Sequence, residues 1–412
     1  MRELTAVADP AELGFDPARL GRVDRYFDRY LDDGLLTSWA AVIARDGRIV
    51  HATVHGQRDR EAGLAADWNT RWRIYSMTKP ITSVAAMVLL EEGAFTLTDP
   101  IARFLPEFAE PRVYLRGPAS GPATVPATEP IRVWHLLSHT AGLTYGFHHV
   151  HPVDAMYRAG GFEWGIPASL DLAGACEFWA AKPLLFEPGS EWNYSVATDV
   201  LGRLVEVVSG MPLDEFLRTR VLEPLGMVDT AFGAEEGEAL DNLAALYAAQ
   251  PGTKRALRND GMGSAAHSRP KALSGGGGLV STAADYHRFA QFLLRRGELD
   301  GVRLLSPRTV ERMTTNHLPD GLDLDRFGRP VFAETRYDGV GFGLGFSVLL
   351  DPVKAKSPGS VGEFGWGGAA STSFFVDPRE RITALFLTQL LPSSTHPIRP
   401  YLTQLVYQAL TG

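Results

Sequence analysis

Apolar residues recur with a helical period at the start of the chain. They lie three or four positions apart, at Leu20, Val23, Phe27, Tyr30 and Leu31. This spacing predicts an amphipathic helix over residues 17–33. Asp16 suits the N-cap of that helix, and Pro17 suits its first position because the missing N–H would have no partner there.

Two β-rich segments, 39–45 and 48–55, follow this helix and are separated by Asp46 and Gly47. An Asp-Gly pair between two such segments favours a β-hairpin, because both turn residues need a positive φ. Further β-type segments lie near the other end of the chain, at residues 343–350, 373–376 and 382–388. The pattern therefore predicts strands close to both termini.

Helical patterns dominate the middle of the chain, roughly residues 83–270. The predicted helices there cover residues 76–93, a segment that starts at Thr98-Asp99-Pro100, and residues 134–138, 171–181 and 196–209; two more, 284–295 and 400–410, lie nearer the C-terminus. Residues 113–130 are rich in Pro, Gly, Ala and Thr, which predicts a surface loop.

This order of elements predicts an α+β fold, in which a sheet built from both termini is flanked by helices. The chain has 412 residues, which favours two or three structural units at roughly 100–200 residues per domain. We predict an α/β domain formed by residues 1–82 and 275–412. Residues 83–274 would form a mostly helical inserted domain, with an active site at the interface of the two.

Composition narrows the possible partners. The net charge is −8, which argues against a nucleic-acid partner, since such a partner requires a basic face.

The only cysteine, Cys176, lies in an apolar helical segment and is predicted to be a buried thiol. The N-terminus has no basic region followed by an apolar run, and no apolar run is long enough to span a membrane, so we expect a cytoplasmic protein without a membrane partner.

The motif Ser76-x-x-Lys79 carries the first candidate chemistry. Residues three apart share one face of a helix, so Lys79 would stand beside the Ser76 hydroxyl and could take its proton. Taken alone, the motif also fits a helix-capping serine followed by a solvated lysine. A second copy, Ser268-x-x-Lys271, runs into a tract of four glycines instead of a helix.

Two further segments support a catalytic interpretation. Tyr194 lies at a predicted loop-to-helix junction, where its hydroxyl could donate and accept a proton, although a core aromatic residue fits equally well there. The segment Trp366-Gly367-Gly368-Ala369 precedes a predicted strand. Glycines on an edge strand permit close approach of a ligand, and an N–H from such a strand could form an oxyanion hole with the Ser76 N–H. The alternative is a β-bulge or a turn.

Together, Ser76-x-x-Lys79, Tyr194-Ser-Val and Trp366-Gly-Gly resemble, in order and spacing, the motifs of the serine β-lactamase and penicillin-binding-protein superfamily. The similarity is greatest to family VIII carboxylesterases, which are esterases with a class C β-lactamase fold. It runs from about residue 15 to the C-terminus and includes the segments 136–143, 188–189 and 224–227. The resemblance implies a β-lactamase/transpeptidase-like fold with an antiparallel sheet.

The chain departs from the usual β-lactamase pattern at two positions. Val196 stands where Tyr-x-Asn places an asparagine, and Trp366 stands where Lys-Thr-Gly places a lysine. Both changes make the site more apolar, and an indole cannot hold the carboxylate of a penicillin by charge. No Gly-x-Ser-x-Gly occurs, so the α/β-hydrolase elbow is absent.

No cofactor or metal is predicted. The histidines near the middle of the chain, His139, His148, His149 and His151, lack the accompanying ligands of a metal motif and are interpreted as a loop that lines the pocket.

The predicted function is hydrolysis of short-chain carboxylic esters, which are small-molecule substrates, through an acyl-enzyme on Ser76. Lys79 and Tyr194 would transfer protons, and Ser76 and Ala369 would provide the oxyanion N–H groups beside Trp366, Gly367 and Gly368. The alternatives are a β-lactamase or D-alanyl peptidase, an acyltransferase on the same fold, and a penicillin-binding-like module without catalysis.

Overall fold

The structure is a computed structural model that describes residue 4, residues 8–233 and residues 242–411. Its main element is an eight-stranded antiparallel sheet. The strands are β1 (Ser38–Arg45), β2 (Arg48–Asp59), β3 (Leu64–Ala65), β4 (Val340–Phe342), β5 (Ser347–Leu349), β6 (Phe364–Gly368), β7 (Thr372–Asp377) and β8 (Ile382–Leu387). Their order across the sheet is β4-β5-β6-β7-β8-β1-β2-β3. The predicted sheet built from both termini is confirmed.

Helices account for most of the remaining regular structure. The longer α-helices are Arg22–Asp32, Thr78–Glu91, Pro152–Ala159, Leu172–Ala180, Ala197–Ser209, Ala283–Leu294, Pro307–Met313 and Ile398–Tyr407. The shorter ones are Pro17–Leu20, Val133–Leu137, Leu213–Leu217, Asp260–Gly263, Leu324–Phe327 and Pro352–Ala355, and Arg218–Leu222 forms a π-helical turn.

Short strands pair outside the main sheet. The pairs are Trp72–Arg73 with Val280–Ser281, Arg112–Arg116 with Ala123–Pro126, and Glu298–Leu299 with Val302–Arg303, and a three-stranded group contains Leu390–Leu391, Tyr247–Ala249 and Ala256–Arg258. The strand Trp72–Arg73 bears on function, because it leads the chain into the candidate active site just before the helix Thr78–Glu91.

Three sequence-based expectations need correction. The helix expected from Thr98 is only a 3-10 turn, Ile101–Arg103, because Pro106 follows and a residue before proline is disfavoured in helical geometry. Most of the expected loop 113–130 is a hairpin of Arg112–Arg116 and Ala123–Pro126, whose first strand also bonds to Leu184. The segment 343–350 is not one strand, because Gly345 turns the chain at φ 99° between β4 and β5.

Both faces of the sheet are buried at β1, which explains why this strand is apolar at consecutive positions. Trp39 and Ile43 pack with Phe27 and the C-terminal helix on one face. Val42 faces the opposite side and belongs to a cluster that also contains Val200 of the middle helices. That cluster joins the sheet to the middle of the chain, and the two-domain division at residues 82–83 and 274–275 stays a prediction.

No helix in the described part of the chain is long and apolar enough to cross a membrane.

Candidate active site

Ser76 lies in a single 3-10 turn, Tyr75–Met77, that joins the short strand Trp72–Arg73 to the helix Thr78–Glu91. The turn begins with Tyr75 at φ 44°, a left-handed conformation that is rare for a residue with a side chain. Such strain is common at functional sites. The first N–H groups of a helical turn have no partner within it, so the Ser76 N–H is available to a ligand.

Lys79 lies one turn beyond Ser76 and is 2% exposed. Its Nζ donates to the carbonyl oxygen of Gly276 at 2.7 Å and to the Tyr145 hydroxyl at 2.8 Å. The Ser76 Oγ is 3.4 Å from the same nitrogen. The Ser-x-x-Lys spacing therefore places the amine beside the hydroxyl, as the sequence predicted, but neutral oxygens hold it there.

Burial lowers the pKa of Lys79 to about 8, because desolvation penalises the charged ammonium. The carboxylates of Asp199 and Glu334 act in the opposite direction and favour the charged form. Desolvation outweighs them. About a tenth of the amine is therefore neutral at pH 7 and about half at pH 8, whereas a solvated lysine would be almost fully charged at both.

Tyr194 provides the second polar contact of Ser76. Its hydroxyl lies 2.6 Å from the Ser76 Oγ, and its side chain is buried. Burial, together with the negative charge of Glu334, raises the pKa of Tyr194 well above 10. The phenol therefore keeps its proton near neutral pH and donates to the serine oxygen.

Backbone contacts fix the segment that carries Tyr194. His148 Nε2 donates to the Tyr194 carbonyl at 2.7 Å, and Asn193 Nδ2 donates to the Leu143 carbonyl at 3.0 Å. The buried His139 ring lies 5.2 Å from the Tyr194 ring, between centroids. Two of the four predicted histidines thus support the site. His149 instead pairs with Glu163 at the surface, and His151 caps the helix Pro152–Ala159.

Two residues that bind the Lys79 amine, and a third that holds one of them, were not predicted from the sequence. Tyr145 follows the Ser-His-Thr-Ala-Gly-Leu segment without a motif of its own, and Gly276 contributes only a carbonyl. Asp199 accepts from the Gly276 N–H at 3.0 Å and from the Ser274 hydroxyl at 2.5 Å. The four-glycine tract is therefore anchored to the helix Ala197–Ser209, and its carbonyl orients the lysine.

The segment Trp366-Gly367-Gly368 is part of β6, which lies inside the sheet and is not the expected edge strand. The C-terminal end of β6 closely approaches the turn Tyr75–Met77 that contains Ser76. A Cβ on Gly368 would lie only 2.3 Å from the Ile74 carbonyl oxygen, so the close approach requires glycine here. Residues 368–371 then form a tight turn, closed by the Ser371 N–H on the Gly368 carbonyl at 3.0 Å. Ala369 is the second residue of that turn, so its N–H is not needed to close it.

The two residues that depart from the β-lactamase pattern give the site apolar surroundings. The Trp366 ring lies 5.5 Å from the Tyr194 ring and 5.3 Å from the Phe342 ring, between centroids. Val196 is buried at the N-cap of the helix Ala197–Ser209. An indole therefore occupies the region beside the proposed nucleophile.

The remaining candidates lie elsewhere. Ser268 is exposed, and the Lys271 Nζ donates to the Ser169 carbonyl at 2.8 Å instead of facing a serine hydroxyl. Cys176 is buried, and burial raises the pKa of its thiol well above 9. The predicted core thiol is thus confirmed.

The chain belongs to the β-lactamase family, whose family model matches residues 23–408. The β-lactamase/transpeptidase-like fold inferred from the motifs is confirmed by this match and by the solved structures that resemble the chain.

Several relatives are esterases. The chain is 35% identical to esterase EstB from Burkholderia gladioli, over 93% of this chain and 94% of that protein. It is 31% identical to lovastatin esterase from Penicillium rubens, over 87% of this chain and 90% of the relative. The solved structure of EstCE1, a hydrolase with promiscuous acyltransferase activity, superposes with a TM-score of 0.80 at 30% identity and covers 95% of this chain and 99% of that one. These relatives support an enzyme of the esterase or hydrolase class.

Replacing Ser76 by Ala should reduce the kcat of p-nitrophenyl butyrate hydrolysis by at least about a thousandfold, as expected on loss of a nucleophile. The exposed Ser268→Ala, in the second Ser-x-x-Lys motif, is the matched control and should keep wild-type kcat. Retention of more than about a tenth of the wild-type rate by Ser76→Ala would exclude Ser76 as the nucleophile.

The pH dependence of kcat/KM should show an acidic limb governed by Lys79. Because the amine must be neutral to accept a proton, activity should rise with pH up to about 8, the lowered pKa of Lys79. Lys79→Arg should abolish this limb together with most activity, about a hundredfold or more, since a guanidinium stays charged. The control Lys271→Arg should change neither the acidic limb nor the activity. Good activity and an unchanged profile in Lys79→Arg would exclude the lysine as base.

Proposed function

We propose that the protein is a serine carboxylesterase that hydrolyses neutral short-chain esters through an acyl-enzyme on Ser76. The observation that supports this most strongly is the set of three contacts around the Lys79 nitrogen. A neutral amine has two N–H donors and one lone pair. The Gly276 carbonyl and the Tyr145 hydroxyl occupy the donors, at 2.7 and 2.8 Å, which leaves the lone pair for the Ser76 proton.

The proton then follows a short path. Ser76 gives its proton to Lys79 as Oγ attacks the ester carbonyl carbon. Tyr194, 2.6 Å from that oxygen, delivers its phenolic proton to the departing alcohol and recovers one from the Lys79 ammonium, which lies 3.4 Å from the same serine oxygen. Water then attacks the carbonyl carbon of the acyl-enzyme. Its proton passes through Tyr194 and Lys79 to the departing Ser76 oxygen, and the carboxylic acid is released.

The negative charge on the carbonyl oxygen requires donors. In this proposal the N–H groups of Ser76 and Ala369 provide them. The Gly368 approach to Ile74 supports this pairing, because it brings the end of β6 against the nucleophile turn. Donors fixed before the reaction stabilise the charge without reorganisation.

The surroundings of the site favour an uncharged substrate with an apolar alcohol group. Tyr145 stacks on Phe147 at 4.7 Å, and Phe147 in turn lies 6.2 Å from the Trp164 ring and 6.3 Å from the Phe332 ring. Trp164 is 66% exposed. This aromatic row begins beside Tyr194, the proposed proton donor to the leaving alcohol, so it would contact the alcohol half of the ester.

Acyl transfer to an alcohol is the second candidate. It uses the same acyl-enzyme and differs only in the acceptor that attacks it. The similarity to EstCE1, a hydrolase with promiscuous acyltransferase activity, favours it as a side activity. Added methanol would compete with water, and methyl ester formation from p-nitrophenyl butyrate would reveal the transfer.

Esters should be preferred over β-lactams by orders of magnitude in kcat/KM, with short acyl chains best. Trp366 replaces a cation whose hydrogen bond to a carboxylate is worth roughly 1.5–3 kcal/mol, or about ten- to a hundredfold in affinity. The comparison is between p-nitrophenyl acetate, butyrate and decanoate and nitrocefin. Nitrocefin hydrolysis as fast as that of the butyrate would overturn the esterase assignment.

Trp164→Ala should lower kcat/KM for 2-naphthyl acetate about two- to tenfold, because an aromatic pair contributes roughly 0.5–1.5 kcal/mol. Ethyl acetate, whose alcohol is too small to reach Trp164 at the far end of the row, should be unaffected. Val353→Ala, at another exposed apolar position, is the control for surface truncation. Equal losses for both esters would contradict an alcohol-binding role.

A further inference from the structure

Arg399 lies behind the glycine-containing end of β6. Arg399 belongs to the C-terminal helix Ile398–Tyr407. A Cβ on Gly367 would lie 2.3 Å from the guanidinium carbon of Arg399. The missing side chain at Gly367 therefore lets a guanidinium lie against the strand. The motif Trp366-Gly-Gly identifies these glycines in the sequence, but it gives no sign of the arginine behind them.

The guanidinium binds the backbone of the turn that follows β6. Its Nη2 donates to the Gly368 carbonyl at 3.1 Å and to the Thr372 carbonyl at 3.4 Å. The Gly368 carbonyl belongs to the same peptide unit as the Ala369 N–H. Since a trans peptide directs its C=O and N–H to opposite sides, a group that fixes the carbonyl also fixes the direction of that N–H.

Glu334 holds Arg399 in turn. Its side chain is 1% exposed and forms an ion pair with the guanidinium. The Ser393 hydroxyl donates to the same carboxylate oxygen at 2.9 Å. A buried carboxylate with two partners restricts the rotamers of the arginine, which would otherwise be mobile. Glu334, Arg399 and the Gly368–Ala369 peptide thus form one connected chain of hydrogen bonds.

We infer that Arg399, oriented by Glu334, is a positioning residue for the oxyanion hole, and that it acts through the Gly368–Ala369 peptide. A charged donor on the carbonyl polarises the peptide and strengthens its N–H as a donor, because hydrogen bonds in a chain reinforce one another. The guanidinium also places a positive charge behind the developing oxyanion. The inference rests on the proposed Ser76 acyl-enzyme, in which Ala369 donates to that oxyanion.

The test compares kcat, KM and the affinity for a trifluoromethyl ketone, which forms a tetrahedral oxyanion on a catalytic serine. Arg399→Met should lower kcat about ten- to a hundredfold, somewhat less than direct loss of an oxyanion donor, with KM within about twofold. Inhibitor affinity should fall in parallel with kcat. Arg399→Lys, which keeps a charge and a donor, should recover part of both losses.

Two further variants keep the test decisive. Arg399→Met leaves the Glu334 carboxylate buried without its cation, so the double variant Arg399→Met with Glu334→Gln removes that charge if the single variant fails to fold. Its kcat is compared on the pH plateau, because the Glu334 charge also favours the charged form of Lys79. Arg45→Met is the matched control, since this half-buried arginine of β1 also binds backbone carbonyls and a glutamate, Glu380, and these partners lie outside β6. It should lower the melting temperature without changing kcat.

Folded Arg399 variants with kcat and inhibitor affinity within about twofold of wild type would overturn the inference, as would losses that Arg45→Met reproduces. Failure of the proposed function gives a different result. In that case Ser76→Ala would remain active and the ketone would not bind the wild-type protein tightly.

Discussion

A lysine buried beside a serine hydroxyl is the constraint on which the candidate site depends. Removing an ammonium from water is costly, so the side chain becomes a usable base only if the fold surrounds it with neutral acceptors. Here a backbone carbonyl and a phenol hold the Lys79 nitrogen, and burial lowers its pKa to about 8. A carboxylate in direct contact with the Lys79 amine would have kept that amine charged.

Four distant parts of the chain meet at the candidate site, three of them around that nitrogen. The nucleophile turn supplies Ser76, the helical middle supplies Tyr145 and Tyr194, and the glycine tract supplies its carbonyl. The end of β6 closes the site from the side of the sheet. Because β6 lies between two antiparallel neighbours, its turn is positioned by the sheet, and small backbone distances such as that at Gly368 can be maintained.

The sequence predicted the residues whose side chains carry a pattern and missed those that act through tertiary contacts. Ser76 and Lys79 follow from helical spacing, and Tyr194 from its loop-to-helix junction and from the resemblance to the β-lactamase superfamily. Gly276 contributes a backbone carbonyl, which any residue possesses, so its role has no signature. The prediction of a helix from Thr98 was wrong for a local reason, because Pro106 outweighs the favourable start signal at Thr98. The hairpin within 113–130 depends on Leu184, far away in the chain.

The central claim is that an acyl group resides covalently on Ser76 during turnover. Rapid quenching of the enzyme with p-nitrophenyl acetate, followed by digestion and mass spectrometry, tests it directly. The account predicts an acetyl group on the peptide that contains Ser76, formed at least as fast as p-nitrophenol is released in the steady state and absent from Ser76→Ala. Steady turnover without acylation of that peptide, or acylation at Ser268 instead, would contradict it.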